Sequence, residues 1–178
     1  MINYVKDDIT NSNCNYICHQ VNCQGKMNSG VAKAIRTKWP RVYEEYCEMY
    51  KQFREQNQSP LKMTLISEIS KNQKVANMFA QEFYGYNGQR YTDYEAFYQC
   101  LCGVRNSAGP QDTFAFPYKI GCVRGGANWK IIRTMIEEVF KDRQVYFYYL
   151  DEKDLDDDAK LNILADKFIK ETGGMDLW

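Results

Sequence analysis

Two segments constrain the fold of this chain more than any other feature: His19 to Ile35, which carries Gly25 and Gly30, and Pro117 to Trp129, which carries Gly121, Gly125 and Gly126. Each reads as a β-strand that enters a glycine-bearing loop and leaves as an amphipathic helix. In such a turn the missing side chain lets the backbone come close to an anion. The helix N-terminus adds unpaired N–H groups and a partial positive charge. Two of these turns together would clasp a diphosphate from both sides.

The composition is compatible with that reading. With 178 residues, 44% of them hydrophobic and 15% aromatic, the chain suits one domain with a sizeable core. Lys plus Arg and Asp plus Glu both total 23, so no bulk field draws it to a long polyanion or a membrane surface. The charge is unevenly spread, however. Residues 151–178 hold nine acids and four bases, which leaves residues 1–150 mildly cationic and suited to a small anionic ligand. Seven cysteines without a CxxC pair, and His19 as the single histidine, argue against a zinc site or a disulfide framework. No basic-then-apolar leader and no apolar run of spanning length is present, so a reduced, cytoplasmic protein without metal or cofactor is expected.

Changes of hydrophobic period along the chain favour an alternating α/β layout. Strands are predicted over 2–6 and 16–21. A helix is predicted from about Gly30, its stripe formed by Val31, Ala34, Ile35 and Lys38 and continued past Pro40 through Val42, Tyr46, Met49 and Phe53. Residues 54–60 read as a linker, and 63–69 with 74–80 as a hairpin. Thr92, with Glu95 three residues on, has the spacing of a capping box for the next helix. A strand over 113–120, a helix marked by Trp129, Ile132, Ile136 and Val139, and a strand over 145–150 complete a domain at 1–150. The extension 151–178 reads as an acidic helix with Leu161, Leu164, Ala165 and Phe168 on one face, stopped by Gly173 and Gly174. Either that face docks on the domain or it binds a partner.

Four ordered motifs make residues 2–150 resemble the macrodomain family, whose members bind ADP-ribose. They are the opening Tyr4 to Thr10, with Asp7 where the family usually has glycine; Val21-Asn22 followed by Gly30-Val31-Ala32; Thr92 to Glu95; and Pro117 to Trp129. The resemblance implies a three-layer α-β-α sandwich with a mixed central sheet, here with an added C-terminal helix. It implies that Asp8, beside the Ile9 backbone, accepts the adenine amine, and that Asn22 bonds hydroxyls of the distal ribose, since its amide both donates and accepts. Gly30, Val31 and the second-loop residues Gly121, Cys122, Val123, Arg124, Gly125 and Gly126 would serve the diphosphate. Tyr148 either stacks on adenine or is simply core.

The closest likeness is to the branch with the terminal ADP-ribose protein glycohydrolase and the yeast-type ADP-ribose-1″-phosphate phosphatase. The former branch member uses a strand lysine and a second-loop aspartate; here Gly125 stands at the acid's position, and the lysine's falls near Gln81 or Glu82. Other groups are left as catalytic candidates: Asn22, Glu82 as a carboxylate to activate water, and His19 as a general acid–base or, by strand alternation opposite Asn22, a packed imidazole. Cys23 and Cys122 lie in the loops without an evident base. Three functions follow: a hydrolase acting at the distal ribose of a modified protein, nucleic acid or small molecule; a non-catalytic ADP-ribose reader or sequestering module; or an unrelated nucleotide-binding or scaffold domain.

Overall fold

Runs rich in β-branched and aromatic residues alternate with helical stripes, and each run becomes a strand. The structure, a computed structural model, describes residues 2–172. It runs β1 (Ile2–Lys6), a 3-10 turn (Ile9–Asn11), β2 (Tyr16–Asn22), α1 (Gly30–Lys38), α2 (Pro40–Glu55), β3 (Thr64–Ser70) and β4 (Gln73–Gln81). It continues with α3 (Tyr94–Ser107), β5 (Thr113–Pro117), α4 (Trp129–Val139), β6 (Gln144–Tyr149), a second 3-10 turn (Glu152–Asp154) and α5 (Asp157–Thr172). The six strands form one sheet in the order β1-β6-β5-β2-β4-β3. All neighbours are parallel except the β3–β4 hairpin, so the sheet is mixed, as the resemblance implies.

Alternation along β2 shows why both faces are covered. Tyr16 and Cys18 join a core with Phe97 and Leu101 of α3 and Ile132 and Ile136 of α4, whereas Ile17 packs with Ile35 of α1 and Val42 of α2. Aromatic rings fill the first core most densely. Phe140 lies 4.5 Å from Phe114 and 5.6 Å from Phe116, between the centroids of rings that meet at tilted or edge angles.

Several boundaries differ from the sequence reading. The long helix is broken at Trp39 (φ −131°, ψ 78°), because the ring of Pro40 excludes the helical conformation from the residue before it; Pro40 then starts α2. Thr92 is not the cap of α3. Asp93 is, its carboxylate accepting the Ala96 N–H at 2.8 Å, while the Thr92 hydroxyl donates to the Gly121 carbonyl. The strand predicted over 113–120 ends at Pro117, after which the chain turns into the second glycine loop. The tail docks through Leu155 and Ala159, both buried; Leu161, Leu164 and Phe168 face solvent at 57–71% exposure, so the predicted stripe is not the docking face. Gly173 and Gly174, expected to stop this helix, lie outside the described residues.

Removing the ring that joins α4 to the sheet tests this core. Phe140→Ala is expected to cost about 3–5 kcal/mol of stability in urea unfolding, through lost burial and a residual cavity. A loss below about 1 kcal/mol would show that the end of α4 contributes little packing.

Candidate functional site

The parallel strands β2 and β5 are adjacent, and the loops that leave their C-terminal ends diverge to opposite faces of the sheet. Between them opens a cleft of about 470 Å³, bordered on a third side by Tyr84, Gly85 and Tyr86 from the loop after β4. Crevices at the carboxyl ends of parallel strands are where open α/β sheets bind ligands, and this volume suits a nucleotide-sized one.

The first loop is shaped by Asn22. A register shift at Val21–Asn22 interrupts the β2–β4 ladder, and the Asn22 amide turns inward, only 8% exposed. Its Oδ1 accepts the Gln24 N–H at 2.9 Å, its Nδ2 donates to the Lys26 carbonyl at 2.8 Å, and the Tyr46 hydroxyl lies 2.9 Å from Oδ1. Tyr46 also accepts the Lys26 N–H at 2.9 Å. Asn22 thus holds the loop, and its second amide hydrogen has no partner among the described residues. Beyond it, Gly30 has φ +56° and starts α1 with nothing within 4 Å of where a Cβ would stand. Ser29 gives α1 no side-chain cap, unlike Asp93 at α3 and Asn128 at α4. The N–H groups of Gly30, Val31 and Ala32 therefore have no partner among the described residues, and all three residues line the cleft.

The second loop is a tight coil pinned from below. Cys122 N–H donates to the Lys119 carbonyl, Gly126 N–H to that of Cys122, and Ala127 N–H to that of Gly121. The N–H groups of Val123, Arg124 and Gly125 are left without partners among the described residues, a backbone concavity of the kind that can accommodate an anion. Gly121 needs its glycine for φ +73°, and Gly125 for space: a Cβ there would lie 2.1 Å from Thr92 Oγ1 and 2.4 Å from the Gly121 carbonyl. Tyr91 and Thr92 N–H both donate to the Gly125 carbonyl at 2.9 Å. Thr92 is thus the prop of this loop, a role that the capping-box spacing concealed.

Lys26, Lys119 and Arg124 line the cleft, and among the described residues no carboxylate does. The Lys119 ammonium is turned to the Asp154 carbonyl of the tail. Arg124 donates to the Tyr86 hydroxyl at 3.2 Å and lies 5.3 Å from the centre of its ring. The guanidinium, with Ser29 as a further hydrogen-bond partner, holds the Tyr86 phenol below its usual range. Tyr86 therefore touches both glycine loops across the mouth.

The structure brings His19, Asn22, Gly30, Val31, Gly121, Val123, Arg124 and Gly125 to the cleft wall. Cys122 and Gly126 belong to the same loop but not to that wall. Asp8, Ile9 and Tyr148 do not line the cleft either. Asp8 accepts the Thr10 N–H at 2.8 Å, whereas Ile9 and Tyr148 share one apolar cluster with Val31, which joins them to the cleft. Glu82 faces away, its carboxylate accepting from the Ser59 hydroxyl at 2.5 Å.

His19 is buried at 1% exposure, with Nε2 2.6 Å from Asn77 Oδ1. The Asn77 amide hydrogens point to Ser67 and Leu65, so Oδ1 is an acceptor and His19 carries its proton on Nε2. Burial lowers its pKa to about 4. The loop cysteines are likewise uncharged, since burial pushes Cys23 up to about 12 and Cys122 up to about 11. The sequence reading named Gln81 and Thr92 in other roles and did not single out Gln20. They form a polar floor beneath the second loop, and their only sequence signal was polarity at strand and loop positions facing a helix layer.

No family model and no curated protein matches the sequence. Solved structures do match. A Bacteroides thetaiotaomicron protein of unknown function is similar at 28% identity and TM-score 0.70, covering 83% of this chain and 97% of its own. A macrodomain protein from Streptomyces coelicolor is similar at 23% identity and TM-score 0.68, covering 84% and 99%. Thermosipho africanus DarTG, solved in complex with ADP-ribose, is similar at 16% identity and TM-score 0.69, covering 90% of this chain and 44% of its own. The architecture is that of an α/β domain with two facing glycine loops. The chain has the macrodomain fold.

Since His19 is the only imidazole, its protonation is directly measurable. Its ring proton resonance is expected to stay constant from pH 8 to about 5.5 and to shift with a midpoint of about 4. The folded value lies below the 6.5 of a free imidazole, so the unfolded chain takes up the proton first. The associated stability, about 3 kcal/mol, is complete above pH 6.5 and is lost as pH falls toward 4. A midpoint near 6.5 would show a ring open to solvent.

Proposed function

We propose that this chain binds ADP-ribose or a derivative of it in the cleft between the two glycine loops. The observation that carries the reading is the set of N–H groups on both loops, at residues 30–32 and 123–125, that have no partner among the described residues and lie at one cleft where no described residue places a carboxylate. Such groups are paired in most proteins, and a diphosphate would satisfy both sets at once. The same fold in a DarTG protein solved with ADP-ribose supports it. On this reading Arg124 and Lys26 offset phosphate charge, Val31 leads the ligand toward Ile9 and Tyr148, and Asp8 takes the adenine amine.

What happens at the distal ribose is the finer part of the proposal. Retention of the ligand, as by a reader or sequestering module, is the function the geometry supports best. Its catalytic candidates are disengaged: Glu82 bonds Ser59, His19 is neutral and buried, and Asn22 is used by its own loop. Hydrolysis at the distal ribose is the second reading, favoured by the amide floor of Gln20 and Gln81, which could hold a water for a reaction driven by positioning rather than by a side-chain nucleophile.

Two measurements test the proposal. Calorimetric titration with ADP-ribose is expected to show binding, and Gly30→Glu to abolish it, because the open space at Gly30 belongs to the ligand and the new carboxylate would face the diphosphate. Retained micromolar binding in that variant would sink the loop assignment. Chromatography after incubation with ADP-ribosylated protein and ADP-ribose-1″-phosphate is expected to show no product; released ADP-ribose would establish the hydrolase reading instead.

A further inference from the structure

We propose that Tyr86 is a latch across the mouth of the cleft, joining the two glycine loops over the ligand and setting the rates at which it enters and leaves. The inference rests on the reading of the cleft as an ADP-ribose site. Tyr86 stands in the loop between β4 and α3, which forms the third wall of the cleft, and is 80% exposed. Its hydroxyl accepts from the Arg124 guanidinium of the second loop at 3.2 Å, and that guanidinium lies 5.3 Å from the centre of its ring. From the other side the Ser29 hydroxyl, which belongs to the first loop, faces the Tyr86 hydroxyl. One side chain from a third loop thus bridges the other two.

The loop that carries Tyr86 is seated at one end. Tyr91 N–H donates to the Gly125 carbonyl at 2.9 Å, and a Cβ on Gly126 would lie 2.9 Å from the Gln89 carbonyl oxygen, so residues 89–91 rest on the second loop. Within the loop the Tyr91 hydroxyl donates to Asn87 Oδ1 at 2.8 Å, and it fills the space that a Cβ on Gly85 would need. Tyr86 extends from this braced turn to Ser29. Ser29 is the N-cap residue of α1, yet its side chain makes no capping bond. A serine at that position ordinarily accepts from the first helical turn; here it is turned to Tyr86, and the N–H groups of residues 30–32 have no partner among the described residues. Arg124 can hold Tyr86 and a phosphate together, because a guanidinium carries five N–H donors. The closed latch is therefore compatible with an occupied cleft. A ligand that enters and leaves between the two loops must pass the same bar in both directions, so opening limits both rates.

The test is surface plasmon resonance with ADP-ribose flowed over the immobilised full chain, comparing the native protein with Tyr86→Ala and Tyr86→Phe. At 80% exposure neither substitution reaches the core. Tyr86→Ala is expected to raise the association and the dissociation rate together, each by about tenfold, because it removes both the hydrogen bond to a charged group and the ring under the guanidinium. The equilibrium affinity is expected to change much less. Tyr86→Phe keeps the ring and loses the hydroxyl, and is expected to raise both rates by about threefold. A faster dissociation with an unchanged association rate would mark Tyr86 as an ordinary ligand contact. That result, or two unchanged rates, would overturn the latch and leave the ADP-ribose reading standing. Absence of ADP-ribose binding by the native protein would overturn both.

Discussion

The candidate site depends on backbone N–H groups, in the loops that follow β2 and β5, that have no partner among the described residues. A buried or half-buried peptide group normally finds an acceptor, and a loop that withholds several of them gives up stability unless an anion completes it. Holding such loops open requires rigid surroundings. At the first loop the Asn22 amide and the Tyr46 hydroxyl supply them, Tyr46 being fully buried and stacked on Phe79 with ring centres 5.4 Å apart. At the second, Thr92 and the N–H groups of Tyr91 and Thr92 brace Gly121 and Gly125 from below. The polar floor is thus the support of the second loop.

Much of this was legible in the sequence because glycine, proline and hydrophobic period act locally. The strand-to-helix turns, the six strands and the helices on both faces follow from patterns a few residues long. What was not legible depends on distant residues. Alternation set His19 opposite Asn22, but the register shift after Val21 ends the alternation, since Asn22 pairs with Gln81 rather than Ala80. Thr92 and Asp93 are both good capping residues, and only the closeness of Gly125 decides that Thr92 props the loop and Asp93 caps the helix. The amphipathic stripe of α5 is regular enough to be read as a docking face, yet Ala159, a residue without a large side chain, is what the domain covers.

The chemistry of the cleft is one of neutrality apart from its cations. Burial keeps His19 unprotonated and raises the thiols of Cys23 and Cys122, while Glu82 is held by Ser59 outside the wall. A site built this way would stabilise an anion through fixed dipoles, with no carboxylate among the described residues of its wall to repel one. It also separates binding from acid–base chemistry. Any bond breaking at the distal ribose would have to draw on the ligand's own groups and on water held by amides such as Gln20 and Gln81.

The tail reaches this site without entering it. The Asp156 N–H donates to the Tyr118 hydroxyl at 3.0 Å, the Asp154 carbonyl accepts from Lys119, and Leu155 is buried. Tyr118 and Lys119 are the two residues that carry the chain from β5 into the second loop, and both line the cleft. Lys119 sits at φ +57°, a conformation that disfavours side chains with a Cβ. Its bond to the tail is one of the contacts that offset that strain. The acidic extension is therefore coupled to the geometry of the second glycine loop through two backbone groups, in addition to the surface ion pair of Lys6 with Glu152, which contributes little by itself. Order in the first residues of the tail and order in the second glycine loop are parts of one packing arrangement.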